Sequence, residues 1–247
     1  MSENKKEDKA YKLLAIQEGI SNSKAKSLID RGVVYSAGRQ IKVARANMDA
    51  KTRFRVDKIE NAKIIFQDDN ILVVDKPAFK RSDEIEKEFG YPLLHRLDQQ
   101  TSGVLVMCKD EEFRLSAIEE FKSDRVYKEY VAWVEGVIIE NIVIDTPIHT
   151  QKGHKATSKV SKKGKSATTE VFVDEVVGKR SKVRVVIHEG RTHQIRVHMK
   201  SIGHPVVGDE QYGAKSYRRI MLHAKKFELF DYKFESQEPK IFANIQG

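Results

Sequence analysis

The apolar residues of this chain come in short runs, and that limits the architecture it can adopt. Ile64-Ile65-Phe66 and Ile71-Leu72-Val73-Val74 flank Gln67-Asp68-Asp69-Asn70, a natural turn. Gly103 to Cys108 is a further apolar run, Tyr127 to Val134 and Ser181 to Ile187 alternate, and Thr168 to Val177 is strand-like. Runs of this length bounded by turn residues read as β-strands. Helical spacing is confined to three stretches. Leu13, Leu14 and Ile16 stop at Gly19, a second helix runs from an N-cap in Ser21-Asn22-Ser23 to Gly32, and Phe113, Leu115, Ile118 and Phe121 share the third. Strands and helices do not alternate regularly. The pattern predicts an α+β fold around a mixed, largely antiparallel sheet.

At 247 residues the chain suits one large domain, or a medium domain with a small appendage. Residues 1–9 read as a charged, disordered tail. Residues 10–60 read as a small α/β module: two short helices, then a hairpin of Val33-Val34-Tyr35 and Gln40 to Val43 around Ala37-Gly38. A charged connection near Asp57 to Lys63 leads to the larger domain, 61–247. The single cysteine, Cys108, excludes an intramolecular disulfide framework and any Cys-x-x-Cys zinc ribbon, and points to a reducing compartment. No apolar run approaches bilayer length, and the N-terminus has no signal-peptide pattern. The expectation is a cytoplasmic monomer with no membrane partner.

The formal net charge of +9 is unevenly spread. Residues 1–60 carry 14 Lys/Arg against 8 Asp/Glu, and residues 146–169 carry six lysines and no acid. Each zone is therefore +6, and the rest of the chain is net acidic. Two basic zones on a near-neutral body suit contact with a polyanion at two places. Either zone alone also reads as a solvated lysine-rich loop.

Two segments stand out chemically. His95-Arg96-Leu97-Asp98-Gln99-Gln100-Thr101-Ser102-Gly103 sets a carboxylate beside an arginine in a loop closed by Thr-Ser-Gly. A nucleophile or base needs such a setting: ionised yet reachable. The same residues also read as a tight turn with a salt bridge. Glu189 to His198 gathers Arg191, His193, Gln194, Arg196 and His198, a set able to bind phosphate or hold a carboxylate. His193 and His198 lie five apart, a poor helical spacing for metal ligands, so no metal is expected. Dinucleotide, phosphate-loop and Gly-x-Ser-x-Gly patterns are all missing.

These segments resemble the RluA family of RNA pseudouridine synthases. His95-Arg-Leu-Asp98-x-x-Thr-Ser-Gly103 is similar to that family's catalytic signature. Ile64 to Pro77, Lys128 to Gly136, Gly190 to His198 with Gly203-His204-Pro205 and Gly208-Asp209, and Leu222-His223-Ala224 follow in the family's order. The resemblance covers about 62–235. It implies a pseudouridine synthase domain acting on RNA without a cofactor, with ribosomal RNA the first choice of substrate and transfer RNA the second. It also implies Asp98 as the catalytic carboxylate, Tyr130 as the ring that stacks on uracil and helps carbon 5 lose its proton, and Arg196 as the partner of Asp98. Arg96 would contact RNA or fill the gap left by a flipped base, and Arg191 would contact RNA or serve as loop scaffolding. Residues Gly19 to Gly32 and the following hairpin resemble the small RNA-binding domain known from ribosomal small-subunit protein four, with Lys24, Lys26 and Arg31 toward RNA. Ala78 to Asp83 departs from the family pattern, which suggests a rebuilt loop on the substrate side.

Overall fold

In the computed structural model, which describes residues 7–151, 153 and 156–245, the chain forms two compact units that part between Glu60 and Asn61. The first contains β1 (Glu7–Lys9), α1 (Ala10–Glu18), α2 (Asn22–Arg31), β2 (Val34–Ser36), β3 (Arg39–Gln40), β4 (Asn47–Asp49) and β5 (Arg55–Val56). Gly19 and Gly32 end the two helices in left-handed conformation, and the Ser21 hydroxyl accepts the Lys24 N–H at the start of α2. The tail expectation needs correcting at its inner end. Glu7–Lys9 pair antiparallel with Asn47–Asp49. A two-stranded ribbon is held by backbone hydrogen bonds and needs no apolar side chains, so its charged composition hid it. Residues 1–6 lie outside the described residues.

The second unit holds β6 (Lys63–Gln67), β7 (Ile71–Lys76), α3 (Ser82–Phe89), β8 (Ser102–Cys108), α4 (Glu111–Lys122), β9 (Tyr127–Glu135), β10 (Ile142–Asp145), β11 (Ile148–Gln151), β12 (Thr157–Val160), β13 (Thr168–Val177), β14 (Arg180–Ile187), α5 (Gln194–Ser201), β15 (Leu222–Leu229) and β16 (Tyr232–Glu235). Nine strands form one sheet in the order β10-β13-β14-β9-β15-β8-β7-β6, with β16 added to β15. All its pairings are antiparallel except β15 with β8. The predicted mixed, largely antiparallel α+β sheet is therefore found. Its central strands read as continuous apolar runs because both faces are covered. Leu72, Val74, Leu105 and Met107 join a core with Ile85 of α3 and Ile195 and Met199 of α5. Ile71, Val73, Val104 and Val106 point the other way, toward Ala117 of α4 and Phe234 of β16.

At the parallel junction Gly103 pairs with Ala224. Its φ is 114°, and a Cβ there would lie 2.1 Å from the Ala224 carbonyl oxygen. Only glycine fits. This close approach fixes the start of β8, and with it the loop 95–102, against β15.

Candidate active site

Asp98 sits on that loop, just before β8. Leu97 beside it is buried, and the Ser82 hydroxyl at the start of α3 clamps it, accepting the Leu97 N–H at 3.0 Å and donating to its carbonyl at 2.9 Å. The Thr101 N–H closes the turn onto the Asp98 carbonyl at 3.0 Å. Upstream, the His95 ring stacks on Phe227 at 4.9 Å, and its Nε2 accepts the Val106 N–H. Burial, reinforced by the Lys128 charge, pushes the His95 pKa down to about 3, so the ring is neutral and free to accept that bond.

Two buried basic side chains brace the loop from behind. Lys76, fully buried at the end of β7, donates to the carbonyls of Pro77 and Lys80 at 3.0 and 2.7 Å, with Gln99 at 3.4 Å. Burial and then the Arg219 charge lower its pKa to about 7. Arg219 donates to the Gln100 and Leu222 carbonyls and to the Ser102 hydroxyl, joining the loop to β15. The 78–83 segment, expected on the substrate side, supplies the Lys80 carbonyl and Ser82 to this bracing.

Across the loop, α5 presents Arg196. Its Nη1 meets Asp98 Oδ2 at 2.9 Å, while Nε and Nη2 form a two-pronged pair with Asp209 at 2.6 and 2.9 Å. Asp209 is fully buried, whereas the Asp98 side chain keeps 29% exposure. Burial works against the Arg196 charge, but the Asp209 hydrogen bond and the two carboxylate charges outweigh it and raise its pKa. Arg196 is a permanent cation here. His193 begins α5 in left-handed conformation, its Nε2 3.8 Å from Asp98 Oδ1 and its Nδ1 2.8 Å from the Tyr212 hydroxyl. Tyr130 on β9 lies nearly buried in the same cleft. Burial, then the Asp98 charge, raises its pKa.

Asp98, Tyr130, Arg196, Arg96 and Arg191 all line this one cleft. Arg96 is exposed on its rim, and Arg191 is tied to the Ser166 carbonyl at 2.9 Å. His198 is buried elsewhere, between Thr169 and the Thr146 carbonyl. In the first unit Lys24 is exposed, Lys26 lies over the Tyr11 ring at 4.3 Å, and Arg31 bonds Ser27 at 3.2 Å.

Residues 70–201 match the family model of RNA pseudouridylate synthases. An RNA pseudouridine synthase of Helicobacter pylori strain J99 is 48% identical over 239 residues, covering 95% of this chain and 99% of that protein. The chain belongs to the RNA pseudouridine synthase family. The synthase is also 32% identical to ribosomal large subunit pseudouridine synthase D of Pseudomonas aeruginosa, over 86% of this chain and 78% of that one. Human RNA pseudouridylate synthase domain containing 1 superposes with a TM-score of 0.63 at 31% identity, over 75% of the synthase and 86% of that chain. The synthase is thus an isomerase acting on RNA. Sequence reasoning gave no part to Lys76, Ser82, Tyr212 or Arg219. The Asp209 that shares Arg196 with Asp98 stood in a quoted motif without a role.

Proposed function

We propose that the synthase converts specific uridines of large-subunit ribosomal RNA to pseudouridine, with Asp98 as the catalytic carboxylate. The reaction breaks the bond between uracil N1 and the ribose, turns the base, and rejoins it through carbon 5, which then loses its proton while N1 ends up carrying one. The uridine must leave its stack to reach the cleft, so RNA has to be gripped while the base is out. One observation carries this reading: a partly exposed carboxylate, held by a permanent cation, faces a nearly buried tyrosine ring in an open cleft. Arg196 holds and aims Asp98 through its 2.9 Å hydrogen bond. Tyr130 supplies the face on which uracil stacks. Because burial and Asp98 keep its hydroxyl protonated, its part is that of a platform rather than a standing base.

Arg96 on the rim and Arg191 beside it contact the RNA. The first unit, with Lys24, Lys26 and Arg31, adds affinity for structured RNA, in the manner of the ribosomal-protein-four domain it resembles. The similarity to ribosomal large subunit synthases supports ribosomal RNA over transfer RNA as the target. Tritium release from carbon-5-labelled uridine RNA tests the chemistry. Wild type releases tritium, and Asp98→Asn, nearly isosteric but uncharged, does not; residual turnover within about tenfold of wild type sinks the assignment. A pseudouridine map of total RNA from a deletion strain identifies the substrate, and a loss confined to transfer RNA refutes the ribosomal target.

A further inference from the structure

Between the hairpin of β11 and β12 and the end of α5 lies a second cavity, of about 230 Å³. Lys159 of β12, Lys200 of α5 and His149 of β11 line it, and no carboxylate does among the described residues. Neither lysine makes an ion pair with a described residue, although the synthase has many surface pairs elsewhere. Two ammonium groups beside one concavity repel each other unless an anion lies between them. The remaining wall is hydroxyl and amide, which completes a donor-rich lining suited to phosphate oxygens.

The floor of this cavity is wired to the Asp98 cleft. Tyr212 accepts the Ser158 N–H at 3.0 Å and bonds His193, whose other ring nitrogen faces Asp98. Gln211 donates to the Ala156 carbonyl at 3.1 Å, and its Oε1 accepts from Arg196 at 3.2 Å. The hairpin carrying Lys159 is therefore hydrogen-bonded to the residues that hold the catalytic pair.

We propose that this cavity is a backbone-phosphate subsite, holding the RNA strand beside the uridine that enters the Asp98 cleft. The proposal rests on the synthase reading above. RNA is favoured over a small free anion because exposed Lys162, Lys163 and Lys165 follow the hairpin and extend the positive field beyond the cavity. A field of that extent suits a polymer.

The test is filter binding of a short single-stranded random-sequence RNA across a potassium chloride series, with wild type, the Lys159→Gln/Lys200→Gln double variant and the Lys159→Arg/Lys200→Arg double variant. Both lysines are exposed, so the three proteins should melt together. The glutamine variant should bind at least about tenfold more weakly, the loss expected when even one of the two charge-assisted hydrogen bonds goes. Its plot of log affinity against log salt should be shallower by about 0.7 for each phosphate contact removed, and arginine should restore both. Parallel lines with equal intercepts overturn the subsite. So does calorimetric binding of inorganic phosphate that vanishes in the glutamine variant while the RNA lines stay parallel, which would give the cavity to a free anion. The titration reads affinity without turnover, so its failure is distinct from loss of tritium release by wild type.

Discussion

Arg196 is held by two carboxylates of unlike exposure, and the difference divides its work. Asp209, wholly buried, anchors it, whereas Asp98, open to the cleft, is aimed by it. Arg196→Ala strands a buried charge and should cost roughly 3–5 kcal/mol in urea unfolding as well as activity. Arg196→Ala/Asp209→Ala should regain much of that stability while staying inactive, since Asp98 still lacks its partner; full activity in either variant refutes this division. Lys76 gives a second residue-level prediction. Its pKa is lowered to about 7 in the native protein against 10.5 unfolded. Between those values the unfolded chain binds a proton that the native state lacks, so this group's contribution to stability rises with pH, by up to about 1.4 kcal/mol per unit. Below about 7 both states are protonated and the contribution is flat at its minimum. Relative to Lys76→Met, wild type should therefore gain stability from pH 7 toward 10. Unfolding free energies that run parallel over that range would show Lys76 charged throughout.

At the scale of elements, β6 to β9, β13 and β14 were readable as strands, whereas β10, β11, β12, β15, β16 and the bracing of the active loop were not. Ile71 to Val74 and Gly103 to Cys108 announced themselves because a strand covered on both faces must be apolar throughout. α5 gave no such signal: its buried set includes Gln194, Arg196 and His198, so the polar face that marks a surface helix is turned inward. Asp98, Tyr130 and Arg196 were singled out through family resemblance, and the structure brings them to one cleft. Ser82, Lys76 and Arg219 reach the loop through bonds to Leu97, Gln99, Gln100 and Ser102, each 15 or more residues away, and in sequence each is one more polar residue among many. Gly103 is where element packing reaches the chemistry. Gly103→Ala would force a Cβ into the Ala224 carbonyl at an unfavourable φ, costing about 2–5 kcal/mol and displacing the loop that carries Asp98. Thermal melting and tritium release should fall together, and a variant that keeps both would show that β8 and β15 can separate without consequence.

For the whole molecule, the proposed function divides gripping from chemistry between the two units. Residues 61–247 contain the entire nine-stranded sheet, both faces of its core, and every residue placed around Asp98. Residues 7–60 have a core of their own, including Leu14, Ala25, Ile29, Val34 and Phe54, and joined segments: Gln17 bonds both the N–H and the carbonyl of Phe54. Deleting residues 1–60 should therefore leave a folded, catalytically competent body, with a single cooperative melt and measurable tritium release at high RNA concentration. What falls is affinity for structured RNA. The deleted part carries net +6, and each phosphate contact it makes adds roughly −0.9 to the slope of log affinity against log salt on a B-form duplex, and less on single strands. The truncated protein should accordingly show a shallower salt dependence and a higher KM, with kcat much less changed, because the groups around Asp98 stay in place. A unit that served only solubility or self-association would give lines parallel to the full-length protein with equal intercepts. Filter-binding titrations of both proteins across a salt series, paired with single-turnover rates at saturating RNA, distinguish the two.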